Sequence, residues 1–212
     1  MRNWAMLIAA SLLALPASAA GPDAPSPGIW TNTEDEYFAE EEGRDKPQWI
    51  GLEIAEDGRW RTIDAFRQPL TDWQSGRVAD VSPRDGGGWN WRGSELRKAR
   101  EFYCWVSVRK FAGKPDGGED WTFQRNLANF DQGGRLSIAG NGEAPDVTIR
   151  LRRVTWAKGS RNKPSLVIYV HKDDPLRAES YSWTSPDATM VGINLRWMQA
   201  SCSRTTSEAE VN

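Results

Sequence analysis

Three pairs of aromatic residues, each split by one residue, carry the clearest chemical possibility in this chain: Trp89 with Trp91, Tyr103 with Trp105, and Tyr181 with Trp183. On an extended strand the side chains of residues i and i+2 share a face. If that face is open or lines a cavity, two rings make a platform for the flat apolar side of a sugar or for a lipophilic molecule. If it is packed, the same rings fill a core and stabilise their cross-strand neighbours. Tyr103 and Trp105 favour the ligand reading, because they share their face with Ser107 and Arg109 while Phe102, Val106 and Val108 take the other.

Other reactive groups are sparse. His171 is the only histidine, so a histidine-rich zinc site is excluded and a serine or cysteine triad has one possible base, at a strand end. No phosphate-cradling glycine loop or nucleophile elbow is present, and no cofactor is expected. Carboxylates are the natural alternative for an enzyme: Asp64, Asp72, Asp120, Asp131, Asp173, Asp174 and Asp187 are available. Acid and base work requires two of them at a defined separation, and their ordinary use is in turns and caps. The acidic run Glu34-Asp35-Glu36 and Glu40-Glu41-Glu42 lacks calcium-loop spacing and reads as a solvated strand end, so no metal is expected. Arg150, Arg152, Arg153, Lys158, Arg161 and Lys163 surround Trp156 and could hold phosphate or an acidic polysaccharide. Arg150 and Arg152 alternate with Ile149 and Leu151, however, which reads as a solvated outer face.

Strands must position these groups. Ile50 to Phe66 reads as a hairpin whose three-residue loop Glu56-Asp57-Gly58, with Gly58 left-handed, puts Ile50, Leu52 and Ile54 on one face with Trp60, Thr62 and Phe66. Alternation recurs at Phe102–Arg109, Trp121–Gln124, Val147–Leu151, Leu166–Val170, Tyr181–Trp183 and Val191–Trp197, for about nine to eleven strands in all. Ser94 to Arg100 is the one stretch that invites a short helix, capped by Ser94. Thr71 to Gly93 breaks the period; there Gly86, Gly87 and Gly88 would let Trp89 and Trp91 swing as a lid over a cavity.

Gly28-Ile29-Trp30 opens the first strand and Arg196 lies in the last, a pairing that resembles the lipocalin and wider calycin pattern. The resemblance implies an antiparallel up-and-down barrel in which Trp30 closes one end and Arg196 stacks across it. A two-sheet β-sandwich is the alternative all-β architecture.

The context is set by the first twenty residues. Arg2, the apolar run Ala5 to Leu15 and Pro16-Ala17-Ser18-Ala19-Ala20 read as a cleavable signal peptide over 1–20. The run is too short for a membrane span, which takes about 20 apolar residues. A proline-rich leader (21–27), a single β domain (28–202) and a flexible tail (203–212) are expected to follow. Cys104 and Cys202, the only cysteines, should form a disulfide in an oxidising compartment, periplasmic or secreted and bacterial. The formal charge of −2 offers no general attraction to nucleic acid. The expected function is binding of a small apolar or sugar-like ligand in a cavity lined by tryptophan. A carboxylate-dependent enzyme on glycans and an envelope interaction protein are the alternatives.

Overall fold

The computed structural model describes residues 24–84, 87–111, 120–156 and 159–205. The proposed signal peptide, Gly86, Lys158 and most of the expected tail lie outside these residues.

Over the described residues the chain is all-β and antiparallel, with one short helix. Its first half contains β1 (Gly28–Thr31), α1 (Thr33–Glu41), β2 (Gly51–Ile54), β3 (Trp60–Ile63), β4 (Val81–Pro83), β5 (Trp89–Trp91) and β6 (Ser94–Lys98), and the six strands form one sheet in the order β3-β2-β1-β6-β5-β4. The hairpin between β2 and β3 has the expected loop: Ile54 faces Trp60, the Ala55 amide donates to the Arg59 carbonyl at 2.8 Å, and Gly58 has φ 82°. The tryptophans fill this sheet's core. Trp30, Trp60, Trp89 and Trp91 pack with Leu52, Ile54 and Leu96, and Trp60 meets Trp91 edge-on at 6.2 Å. Trp89 and Trp91 therefore do not form a swinging lid. Their strand is hydrogen-bonded on both sides, to β4 and β6, and moving the rings would break both ladders.

The helix also lies elsewhere than expected. Ser94 to Lys98 is a strand, because β1 and β5 offer it ladders on both edges, and that tertiary pairing outweighs local propensity. The acidic run forms the helix instead, with Glu34, Asp35 and Glu36 in the first turn, where carboxylates suit the helix dipole. It is no solvated strand end: Glu34 and Asp35 are buried, paired with Arg97 and Arg44 respectively.

The second half consists of β7 (Glu101–Arg109), β8 (Trp121–Phe130), β9 (Gln132–Ile138), β10 (Val147–Val154), β11 (Ser165–Lys172), β12 (Ala178–Thr184), β13 (Met190–Leu195) and β14 (Met198–Arg204). The described residues thus hold fourteen strands, more than the alternation alone revealed. These eight make two four-stranded sheets, β12-β11-β10-β9 and β13-β14-β7-β8. Successive strands are neighbours, and β14 returns to pair with β7. Inward rows from both sheets share one core, including Phe102, Val106, Ile149, Leu151, Leu166, Ile168 and Met198. No tryptophan is among its buried members; Trp197 packs at its margin. Cys104 and Cys202 face each other across β7 and β14 and are bonded.

Two of the features that join the halves lie at β8 and its end. Ile29, Ile63, Ala99 and Phe130 form a small apolar cluster between the six-stranded sheet and β8. At the corner between β8 and β9, the fully buried Asp131 accepts from the Arg100 backbone amide at 2.8 Å and from its Nε at 2.6 Å.

Arg196 does not stack on Trp30. It is exposed in the turn between β13 and β14, in a different sheet from Trp30, and the cation over the Trp30 ring is Lys98, at 5.9 Å. Lys98 and Trp30 both bond Ser26, which holds the approaching chain against β1.

Candidate functional site

The outward face of β9–β12 gathers most of the groups suited to a ligand. Alternation sends Val147, Ile149 and Leu151 of β10 inward, so Arg150 and Arg152 point outward. Antiparallel register then sets Arg135, Arg150, Tyr169 and Tyr181 in one row across four strands, with Arg152, Val167 and Trp183 in the next.

At the β12 side the rows end in an open aromatic groove of about 600 Å³, lined by Trp156, Tyr169, Tyr181 and Trp183 with Asn162 and Lys163. Tyr181 lies 6.1 Å from Tyr169 across the strands and 6.0 Å from Trp183 along its own, centre to centre. The Trp156 indole donates to the Lys163 carbonyl at 2.9 Å, which pins that ring. Tyr181 and Trp183 remain 61% and 65% exposed, although neighbouring rings support them.

At the β9 side the same face is closed by α1. A β-bulge at Gly133 and Gly134 bends β9 toward the helix. Gly133 has φ 81°, and a Cβ there would come 2.6 Å from Thr33 Oγ1, so only glycine permits this approach. A pocket of about 360 Å³ results, lined by Tyr37, Lys46, Trp49, Arg135, Arg150 and Arg152 among others. The solvated face expected of Arg150 and Arg152 is thus not found: Arg152 is only 7% exposed, because α1 lies over it. Its guanidinium packs on Tyr37 at 3.7 Å, and that of Arg150 packs on Tyr169 at 4.6 Å. Burial pulls Arg152 and Arg135 below the ordinary guanidinium range, and the charge of Arg150 adds to the effect on both. One step along β11, His171 is buried and held at a pKa of about 4, first by burial and then by Arg135 and Arg150.

The three aromatic pairs therefore go to three places. Trp89 and Trp91 are in the core of the six-stranded sheet, and Tyr181 and Trp183 line the groove. Tyr103 and Trp105 point outward from β7, the sheet opposite the groove, where Trp105 lies 5.8 Å from Phe123 and the Arg125 guanidinium covers Phe123 at 4.6 Å. Ser201 and Ser203 face these two rings from β14, leaving a flat, half-polar surface.

The carboxylates act structurally at several of the positions named above. Asp64 accepts from the Phe66 and Gln68 amides, Asp173 from Asp146 and Asp174 from Leu176, all within turns or loops, and Asp131 is held by Arg100. Among the described residues no three His, Cys, Asp or Glu side chains are grouped to hold a metal ion. None of the described helices is long and apolar enough to cross a membrane.

Sequence reasoning missed Tyr37, Arg135 and Tyr169. A signal for Tyr169 was present: Val167, Tyr169 and His171 form a second row opposite Leu166, Ile168 and Val170, and a strand apolar on both faces is covered on both. Tyr37 had no such signal, because its place depends on α1 folding onto β10.

Comparison of the chain with protein-family models, curated proteins and solved structures returns no match.

Proposed function

We propose that this protein is a non-catalytic binding protein of the bacterial periplasm or exterior, and that a sugar-like ligand occupies the open groove of Trp156, Tyr169, Tyr181 and Trp183. The observation that carries the reading is the exposure of Tyr181 and Trp183 in a supported row of rings. Large apolar side chains held in water by their own strand mark a surface that something else covers. Asn162, Lys163 and the two tyrosine hydroxyls supply hydrogen-bonding groups beside the rings, as a hydroxyl-rich ligand requires. The disulfide agrees with an oxidising compartment. The meander of β7 to β14, with β14 back on β7, supports an up-and-down barrel of the calycin kind for this half, flattened where the ladder lapses between β8 and β9 and between β12 and β13.

A second reading is an envelope interaction protein that docks through the flat surface of Tyr103, Trp105, Phe123 and Met190, each exposed on the opposite sheet. Tryptophan fluorescence separates the two. Titration with neutral and acidic oligosaccharides should change the emission, and Trp183→Ala should weaken that response by about tenfold or more, the loss typical of a central aromatic contact. Trp105→Ala should leave it unchanged. No response to any oligosaccharide would overturn the groove reading and leave docking ahead.

A further inference from the structure

We propose that the pocket between α1 and β9–β10 is an oxyanion-binding site, built from Arg135, Arg150 and Arg152, and that the ligand is an acidic glycan. The second half of this statement rests on the groove reading above; the first does not.

Elsewhere in the molecule, arginines that are partly buried have carboxylates. Arg100 has Asp131 at 2.6 Å, and Arg61 and Arg67 share Glu53 at 2.6 and 2.7 Å. Arg150 and Arg152 depart from this pattern. The Nε of Arg150 and both Nε and Nη2 of Arg152 are buried with no hydrogen-bond partner among the described residues, although Arg152 is more than nine-tenths buried. Arg135 faces Arg150 directly across the ladder, and its Nη1 donates to the neutral Pro175 carbonyl at 2.6 Å. The acids nearby are already taken: Glu36 pairs with Lys46 at 2.9 Å, while Glu34 holds Arg97 and Thr155. Three guanidiniums thus converge on one small pocket whose lining also holds the Glu36–Lys46 pair, and among the described residues none of the three has a salt bridge to an acid.

Such an arrangement is costly when empty. Buried donors without acceptors lose their hydration, and like charges opposed across a ladder repel. A carboxylate, phosphate or sulfate group offset by the three cations removes both costs. The planar fork of a guanidinium matches such oxygens in pairs, and stacking on Tyr37 and Tyr169 fixes the planes of two forks in advance. Tyr169 also lines the aromatic groove, so the arginine pocket and the sugar platform are adjacent on one sheet face. A chain of sugars lying on the rings would bring an acidic substituent to Arg150 first and Arg152 behind it.

The test uses the full mature chain in low-salt buffer. Calorimetric titration and thermal melts with inorganic phosphate, sulfate and an oligogalacturonate would be compared with a neutral oligosaccharide of equal length. We expect the anions to bind and raise the melting midpoint, as any ligand of the native state does. The oligogalacturonate should bind about tenfold more tightly than its neutral counterpart, and Arg150→Gln should remove that advantage. Arg152→Gln should abolish the phosphate response, read against the variant's own melting midpoint in anion-free buffer, which loss of the Tyr37 contact lowers. Arg150→Gln, at the more open position, should weaken the phosphate response as well. If none of the anions shifts the midpoint, or if both variants bind them as the wild type does, the pocket is no oxyanion site. Equal binding of both oligosaccharides with inert phosphate would preserve the groove and overturn the pocket. Phosphate binding sensitive to Arg152→Gln, with no oligosaccharide bound, would uphold the pocket and overturn the acidic glycan along with the groove.

Discussion

The guanidinium of Arg152 lies 3.7 Å from the centre of the Tyr37 ring, and this contact joins the only described helix to the sheet that bears the aromatic groove. A cation packed on an aromatic face and shielded from water is worth about 2 kcal/mol. Tyr37→Ala should therefore lower unfolding stability by about 1–2 kcal/mol in urea denaturation, whereas Tyr37→Phe, which keeps the ring, should stay within about 0.5 kcal/mol. Equal losses in the two variants would assign the effect to the hydroxyl and remove the stacking account.

His171 should make the fold acid-labile in a window where few other side chains titrate. Its pKa is about 4 in the fold against an ordinary 6.5, because it is buried beside Arg135 and Arg150, which outweigh the opposing Asp174. The unfolded chain then takes up the proton first as pH falls. Stability from this group is complete above about pH 6.5, declines below that, and is exhausted near pH 4. At about 1.4 kcal/mol per pH unit, the loss between pH 7 and 5 should be about 2 kcal/mol. As His171 is the only histidine, His171→Gln should flatten the stability profile over that range. A wild-type profile already flat from pH 7 to 5 would contradict the prediction.

The disulfide closes a loop with a sequence separation of 98 residues and ties β14 to β7 at directly opposed positions. Chain entropy in the unfolded state assigns such a closure about 4–5 kcal/mol, and losses on removing native bridges run at about 2–5 kcal/mol. The double variant Cys104→Ser and Cys202→Ser should lose stability in that range. Thiol labelling of the denatured, unreduced wild type should find neither cysteine free. An unchanged denaturation midpoint in strong reductant would show that the bridge adds nothing.

Much of the local structure was legible in the residues. The hairpin from Ile50 was readable down to its loop, because moving its register by one residue would have put Trp60 among Ala55 and Glu53. The bridge was legible because two cysteines allow one pairing. The long strand at β7 declared itself by alternation, as did β10 and β11. Short strands such as β4, β5 and β6 did not, since three to five residues carry too little periodicity to stand out from a turn-rich stretch.

The sequence by itself determined which side chains of each strand share a face, because the period of two follows from backbone geometry alone. It could not determine what covers that face, which is decided by partners far along the chain. Trp89 with Trp91 and Tyr181 with Trp183 have the same spacing, yet one pair is buried and the other is in water, because β5 faces the tryptophan core and β12 faces outward at the groove. Arg150 and Arg152 read as a solvated row until α1 is laid over them. Tyr37 and Arg152, more than a hundred residues apart, meet only when β9 bends at Gly133 and admits the helix. Burial, and with it the chemistry of the arginine pocket, is a property of that packing rather than of any segment alone.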